Sequence, residues 1–133
     1  MKTATKTRIP GPDGEQHMDS STKFDPNLVR GSLDLVVLAT LADGEKYGYL
    51  ILKRLRDASR ERHDIQAGTL YPILHRLEHD GAIRGRWEDV GERRRKWYSV
   101  TEKGRQSLQE QAGLWHAFAD YVNAVLAPAL RPT

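Results

Sequence analysis

The stretch Ala67-Gly68-Thr69-Leu70-Tyr71-Pro72-Ile73-Leu74-His75-Arg76-Leu77-Glu78-His79-Asp80-Gly81 decides the fold of this chain. Leu70, Ile73, Leu74 and Leu77 recur at the spacing of one helix face. Gly68, Pro72, His75 and His79 fall on the opposite face, with Tyr71 and Arg76 on its flanks. Pro72 fits near a helix start, where the early amides have no intrahelical partner. Gly81 ends the helix, because glycine readily takes the left-handed conformation needed there. The reading is a short helix anchored by leucines, with polar and aromatic groups turned outward.

Ala82 to Val100 reads as strand, charged turn and strand. Ile83, Gly85 and Trp87 alternate with Arg84, Arg86 and Glu88, the pattern of a strand with one buried face. Asp89 to Glu92 makes the turn. Arg93 to Val100 returns, with Lys96, Tyr98 and Val100 on one face and Arg95, Trp97 and Ser99 on the other. A helix followed by a basic hairpin is the layout of a winged-helix DNA reader: the helix enters the major groove and the hairpin touches the backbone. The predicted fold class is mainly α, a winged helix-turn-helix with a two-stranded β-wing and a long C-terminal dimerisation helix.

The chain has 133 residues, which suits one domain with appendages. A net charge of +3 and a pI near 9.3 permit a polyanionic partner without requiring one. The excess lies in residues 82–100, where Arg84, Arg86, Arg93, Arg94, Arg95 and Lys96 outnumber Glu88, Asp89 and Glu92. Three consecutive arginines repel one another, and phosphate would relieve that repulsion. The bland alternative is an exposed basic loop without a partner. The absence of cysteine removes disulfides and thiolate chemistry and fits a reducing compartment. No apolar run is long enough to span a bilayer, and no apolar segment follows the basic N-terminal residues. Neither membrane nor secretion is expected, and the expected location is cytoplasmic.

Residues 1–27 are polar and interrupted by Pro10-Gly11-Pro12 and Asp13-Gly14. They read as a disordered arm with too little apolar surface to fold. A basic arm that folds on DNA is the functional alternative, set against an overall neutral charge. Residues 28–100 form the expected winged-helix domain. Its first helix spans Leu28 to Ala42, with Leu33, Val36, Val37 and Leu41 as the stripe and Leu35, Leu38 and Ala39 widening it. A helix this apolar suits both the domain core and a partner subunit. Its second helix spans Tyr47 to Ser59, with Leu50, Ile51, Leu55 and Ala58 inward. Lys53, Arg54, Arg56 and Arg60 read as a solvated face in preference to phosphate contacts.

Residues 101–127 form the expected dimerisation helix, opened by Thr101 as N-cap and Glu102 at the positive helix end. Leu108, Ala112, Trp115, Ala119, Val122 and Leu126 step as a coiled-coil seam. Leu114, Phe118, Tyr121 and Val125 add a second stripe. One seam can cover the domain core, and the other needs an equivalent helix from a second subunit. Pro128 should stop the helix and leave residues 128–133 as a frayed tail.

Four motifs occur in order at specific spacings. They are Tyr47-Gly48-Tyr49; Gly68-Thr69-Leu70-Tyr71-Pro72 with Leu74, Arg76, Leu77, Glu78 and Gly81; Gly91 with Arg93, Arg95, Lys96 and Tyr98; and Thr101 with Gly104-Arg105. Over Leu28 to Leu126 the sequence resembles the PadR family of transcriptional regulators, in its short form with a single C-terminal helix. It departs from the family pattern at Trp97, Val100 and Leu50, which keep apolar or aromatic character, and at Glu92, which weakens phosphate contact locally. The resemblance implies a homodimeric bacterial repressor on a palindromic operator, in some members released by a small molecule. It also implies a planar-ligand site, since some short members stack aromatic compounds on a tryptophan at the position of Trp115.

The expected DNA-contacting residues are Thr69, Tyr71, Pro72, His75 and Arg76 in the groove and Arg93, Arg94, Arg95 and Lys96 on phosphates. The expected dimer interface comprises Val36, Val37, Leu108, Ala112, Trp115, Ala119, Val122 and Leu126. Trp115 and Phe118 are the candidate pocket for a small planar hydrophobic effector, or else plain packing in the dimer core. An enzyme is disfavoured, with no glycine-rich phosphate loop and no serine in a nucleophile-elbow context. His75 and His79 could share a metal, but Glu78 falls elsewhere on the helix, so neither metal nor cofactor is expected. The rival reading is a winged-helix protein-interaction module without direct DNA binding, in which the arginine cluster has no purpose.

Overall fold

A computed structural model describes residues 23–25, 29 and 31–132. Most of the expected arm, and the Leu28 start of the first helix, lie outside the described residues. The elements run α1 (Leu33–Ala39), β1 (Lys46–Tyr47), α2 (Gly48–Ala58), α3 (Ala67–His79), β2 (Ile83–Val90), β3 (Arg93–Val100) and α4 (Glu102–Leu130).

The leucine spacing that defines α3 has its expected consequence. Leu70, Ile73, Leu74 and Leu77 are all buried, together with Val37, Leu38 and Leu41 near α1, Ile51 and Leu55 from α2, and Ile83 and Tyr98 from the hairpin. Burial of that apolar surface is the main favourable term in holding the three helices and the sheet together. Gly81 takes φ 82° and turns the chain out of α3 into β2.

Several boundaries differ from the sequence reading. Helix α1 is limited to Leu33–Ala39, and Thr40 to Ala42 continue in tighter turns whose amides bond to carbonyls three residues back. Val37 is completely buried in the chain's own core, so it is removed from the expected dimer face. Tyr47 is not helical. With Lys46 it forms a short strand pairing with Trp97 and Tyr98, so the sheet has three antiparallel strands in the order β1-β3-β2 and not two. The hairpin strands extend to Val90 and resume at Arg93, leaving Gly91 and Glu92 as the turn.

Pro72 is the sixth residue of α3, deeper than expected, and offers the Gly68 carbonyl no amide at the i+4 position. Pro128 likewise lies inside α4, which runs on to Leu130. Pro128 removes only the bond its amide would give the Ala124 carbonyl, and the Arg131 amide still closes the end of the helix on the Pro128 carbonyl at 3.3 Å.

The start of α4 is tied to the end of α3. The Thr101 hydroxyl accepts the Gly104 amide at 3.0 Å and donates to the Gly81 carbonyl at 2.6 Å, and Lys103 Nζ donates to the Asp80 carbonyl at 2.7 Å. Gly104 is required there, because a Cβ would collide with the carbonyl of Ala82. No helix among the described residues is long and apolar enough to cross a membrane.

Candidate nucleic-acid interface

The exposed side of α3 and the wing face each other across an open cleft of about 720 Å3. Tyr71 and His75 line it from α3, Tyr47, Gly48 and Tyr49 from the start of α2, and Trp87, Val90, Arg93, Arg94, Arg95 and Lys96 from the wing. From Ala67 to Leu77 helix α3 carries no acidic residue. Aromatic surfaces and arginines therefore converge on one opening.

The four wing cations behave differently. Arg93 is exposed and makes no ion pair among the described residues. Arg94 lies over the Trp87 ring at 4.5 Å and reaches Asp89 at 3.4 Å, and Arg95 lies over the Tyr47 ring at 4.1 Å. Both guanidinium groups keep donors for an anion while a ring holds them in place. Lys96 is different, since its Nζ donates to Glu78 at 2.9 Å and both side chains are largely covered. A Cβ on Gly85 would collide with the Lys96 stem, so that glycine makes room for the pair. Lys96 thus ties the wing to α3.

The residues expected in the groove are brought to one exposed helix face, but they divide across it. Tyr71 and His75 turn to the cleft, and Pro72 is central. Thr69 borders a groove with Phe24 and Ile65, and Arg76 forms a two-pronged pair with Asp34 of α1, at 2.6 and 3.2 Å. That carboxylate raises the Arg76 guanidinium above its ordinary pKa, chiefly through the hydrogen bond. Among the described residues no three His, Cys, Asp or Glu side chains gather as a metal site.

Periodicity and spacing do not mark Trp87 or Tyr49 as lining the cleft, nor Glu78 as the partner of Lys96. Trp87 was signalled only as a strand residue; it is half exposed, with Arg94 and Lys96 over it. On the outer face of the sheet, Arg86 pairs with Glu45, and the hydrogen bond from Arg86 holds the Glu45 carboxyl below its usual pKa.

The sequence model of the PadR-like transcriptional regulators matches residues 37–110. The chain belongs to the PadR family. A transcriptional regulator of Mycobacterium tuberculosis is 38% identical over 81 residues, covering 61% of this chain and 73% of that one. A PadR-family transcriptional regulator of Eggerthella lenta has a solved structure that superposes with a TM-score of 0.69 at 37% identity, covering 76% of this chain and 87% of that one. A transcriptional regulator from Clostridium thermocellum does so with a TM-score of 0.69 at 30% identity, covering 74% and 96%. The family match runs from within α1 into the first part of α4, and the chain is a transcriptional regulator whose family implies DNA binding.

The long helix α4 carries the other exposed feature. Leu114, Phe118, Tyr121 and Val125 are each 60% exposed or more, and Trp115 and Leu126 are about half exposed. Leu108 packs against the core of its own chain, while Ala112, Ala119 and Val122 are partly covered. The second apolar stripe, not the expected seam, is therefore the barer surface. Trp115, Gly31, Ser32, Leu35, Gln111 and Leu114 border a shallow, open recess of about 250 Å3.

Proposed function

We propose that this PadR-family chain is a repressor acting as a homodimer on a pseudo-palindromic operator. The observation that carries the reading is the cleft between α3 and the wing, with its acid-free helix face and its ring-supported arginines. In this reading α3 enters the major groove and the hairpin reaches the neighbouring minor groove. The strand between the two grooves then runs through the cleft. Thr69, Tyr71, Pro72, His75 and Arg76 face the groove, and Arg93, Arg94 and Arg95 neutralise phosphates. Lys96 acts through its pair with Glu78, which sets the spacing between helix and wing.

The bare stripe on α4 supports the dimer. A contiguous apolar surface of this kind marks an interaction site, and the same stripe on a second copy covers it with closed symmetry. The two recognition helices then lie about 34 Å apart, one turn of DNA. An aromatic effector stacking at Trp115 and Phe118 completes the proposal, supported by the half-exposed indole and the recess beside it.

Selection from a pool of random duplexes tests this reading. Enrichment of an inverted repeat whose half-sites are one helical turn apart is the expected outcome. A chain that enriches no sequence, while binding other proteins through the same face, contradicts it.

A further inference from the structure

Arg76 does not line the cleft, and α1 holds its side chain instead. Asp34 takes the guanidinium by one edge: Nε donates to one carboxylate oxygen at 3.2 Å and Nη2 to the other at 2.6 Å. Both ends of the pair stand on rigid supports. Asp34 is in the first turn of α1, ahead of the completely buried Val37 and Leu38, and the buried Leu74 and Leu77 anchor α3 on either side of Arg76. The pair itself is open to solvent, with 52% of the arginine side chain and 41% of the aspartate side chain accessible. An ion pair this exposed adds little stability, so holding the fold together is a weak reason for it.

A guanidinium carries two edges of paired donors. Nε and one Nη2 proton are committed to Asp34, which leaves the other Nη2 proton and Nη1 as a second edge directed away from the carboxylate. Among the described residues nothing accepts from Nη1. Two parallel donors match O6 and N7 of guanine on its major-groove edge. Phosphate is the poorer acceptor for this group, because Asp34 already balances its charge and Asp80, one turn further on, adds to the same negative field. Holding the long side chain in one pose beforehand also lowers the ordering cost of the contact.

We infer that Asp34 is a positioning residue that makes Arg76 the reader of one guanine in each half-site. The inference rests on the DNA-binding reading above and adds to it the base that Arg76 recognises and the residue that orients it. Arg93, Arg94 and Arg95 then supply affinity for any duplex, whereas the Asp34–Arg76 pair supplies discrimination at one position.

The test uses the full chain and the duplex it selects, with each base pair of a half-site replaced in turn. At one guanine, replacement should weaken native binding by about 5- to 150-fold, and 7-deazaguanine, which lacks only the N7 acceptor, should weaken it severalfold. Arg76→Ala and Arg76→Lys should both remove that penalty, the lysine with affinity for random DNA retained, because an ammonium has no paired edge. Asp34→Asn should shrink the same penalty severalfold. It should also raise affinity for random DNA and steepen the slope of log K against log salt by up to about 0.9, as the released guanidinium turns to phosphate. In the Arg76→Ala background, Asp34→Asn should leave base preference unchanged. A pair that only ties α1 to α3 would instead lower the melting temperature and weaken all duplexes alike. Base penalties that Asp34→Asn leaves unchanged, or an Arg76→Ala variant that loses preference at no guanine, overturn this inference and leave the DNA-binding reading standing. A full chain that selects no duplex overturns both.

Discussion

Tyr71 of α3 and Gly48 of α2 interlock: the tyrosine hydroxyl fills the space that a side chain at residue 48 would need. The contact joins two of the sequence motifs and sets the ring at the edge of the cleft, beside Tyr49 and His75. Gly48→Ala should destabilise the fold by about 1–3 kcal/mol through overpacking. Thermal unfolding measures this, and Tyr71→Ala in the same chain should recover part of the loss. Additive losses in the double variant would show that the two residues do not meet.

The apolar faces were legible in the sequence because periodicity reports burial directly. Leu70, Ile73, Leu74 and Leu77 needed no tertiary information to be placed, and the wing alternation from Ile83 to Val100 needed little more. Partners distant in sequence were not legible. The Lys96–Glu78 and Arg76–Asp34 pairs depend on how elements pack, so Lys96 and Arg76 looked like unattached cations. Strand β1 is two residues long and exists only through β3, which no local pattern announces. Val37 lay on the expected stripe, but helix periodicity does not say which part of a broad apolar face meets the chain's own core.

The proposed dimer rests on the exposed apolar surface of α4, which includes Leu126 of the seam as well as the barer stripe. Leu126→Asp places a charge on a half-exposed position that tolerates it in one chain but buries it between two. An unpaired buried charge costs about 3–5 kcal/mol. Light scattering should therefore give a dimer for the native chain and a monomer for the variant at micromolar concentration. Equal masses would place the interface elsewhere.

Trp115 offers a test of the proposed effector site. A planar hydrophobic compound should quench its fluorescence and shift DNA affinity by about 1–3 kcal/mol of coupling. Trp115→Phe should abolish the quenching and leave the signals of Trp87 and Trp97 intact. A panel of aromatic compounds that moves neither fluorescence nor DNA affinity would assign Trp115 to packing alone.

His63 gives the fold a pH dependence. Burial holds its imidazole below the usual value of 6.5, against the opposing pull of Asp64. His63 borders two surface grooves, one with Arg54 and the other with Arg62. The unfolded chain therefore binds the proton more tightly than the folded one. The stabilising contribution is complete above about 6.5 and is lost as pH falls toward the lowered value. The melting temperature should drop between pH of about 7.5 and 5.5, and drop less in His63→Gln. Parallel curves would show that His63 does not set this dependence.

In the proposed complex, one DNA strand runs between α3 and the wing in each half of a dimer. Hydroxyl-radical footprinting on the selected duplex tests it most directly. The native chain should protect two symmetric backbone segments about one helical turn apart. The Arg94→Ala, Arg95→Ala double variant should lose the protection contributed by the wing and weaken selected and random DNA alike, with a flatter salt dependence. A footprint that the double variant reproduces unchanged would contradict this path of the strand.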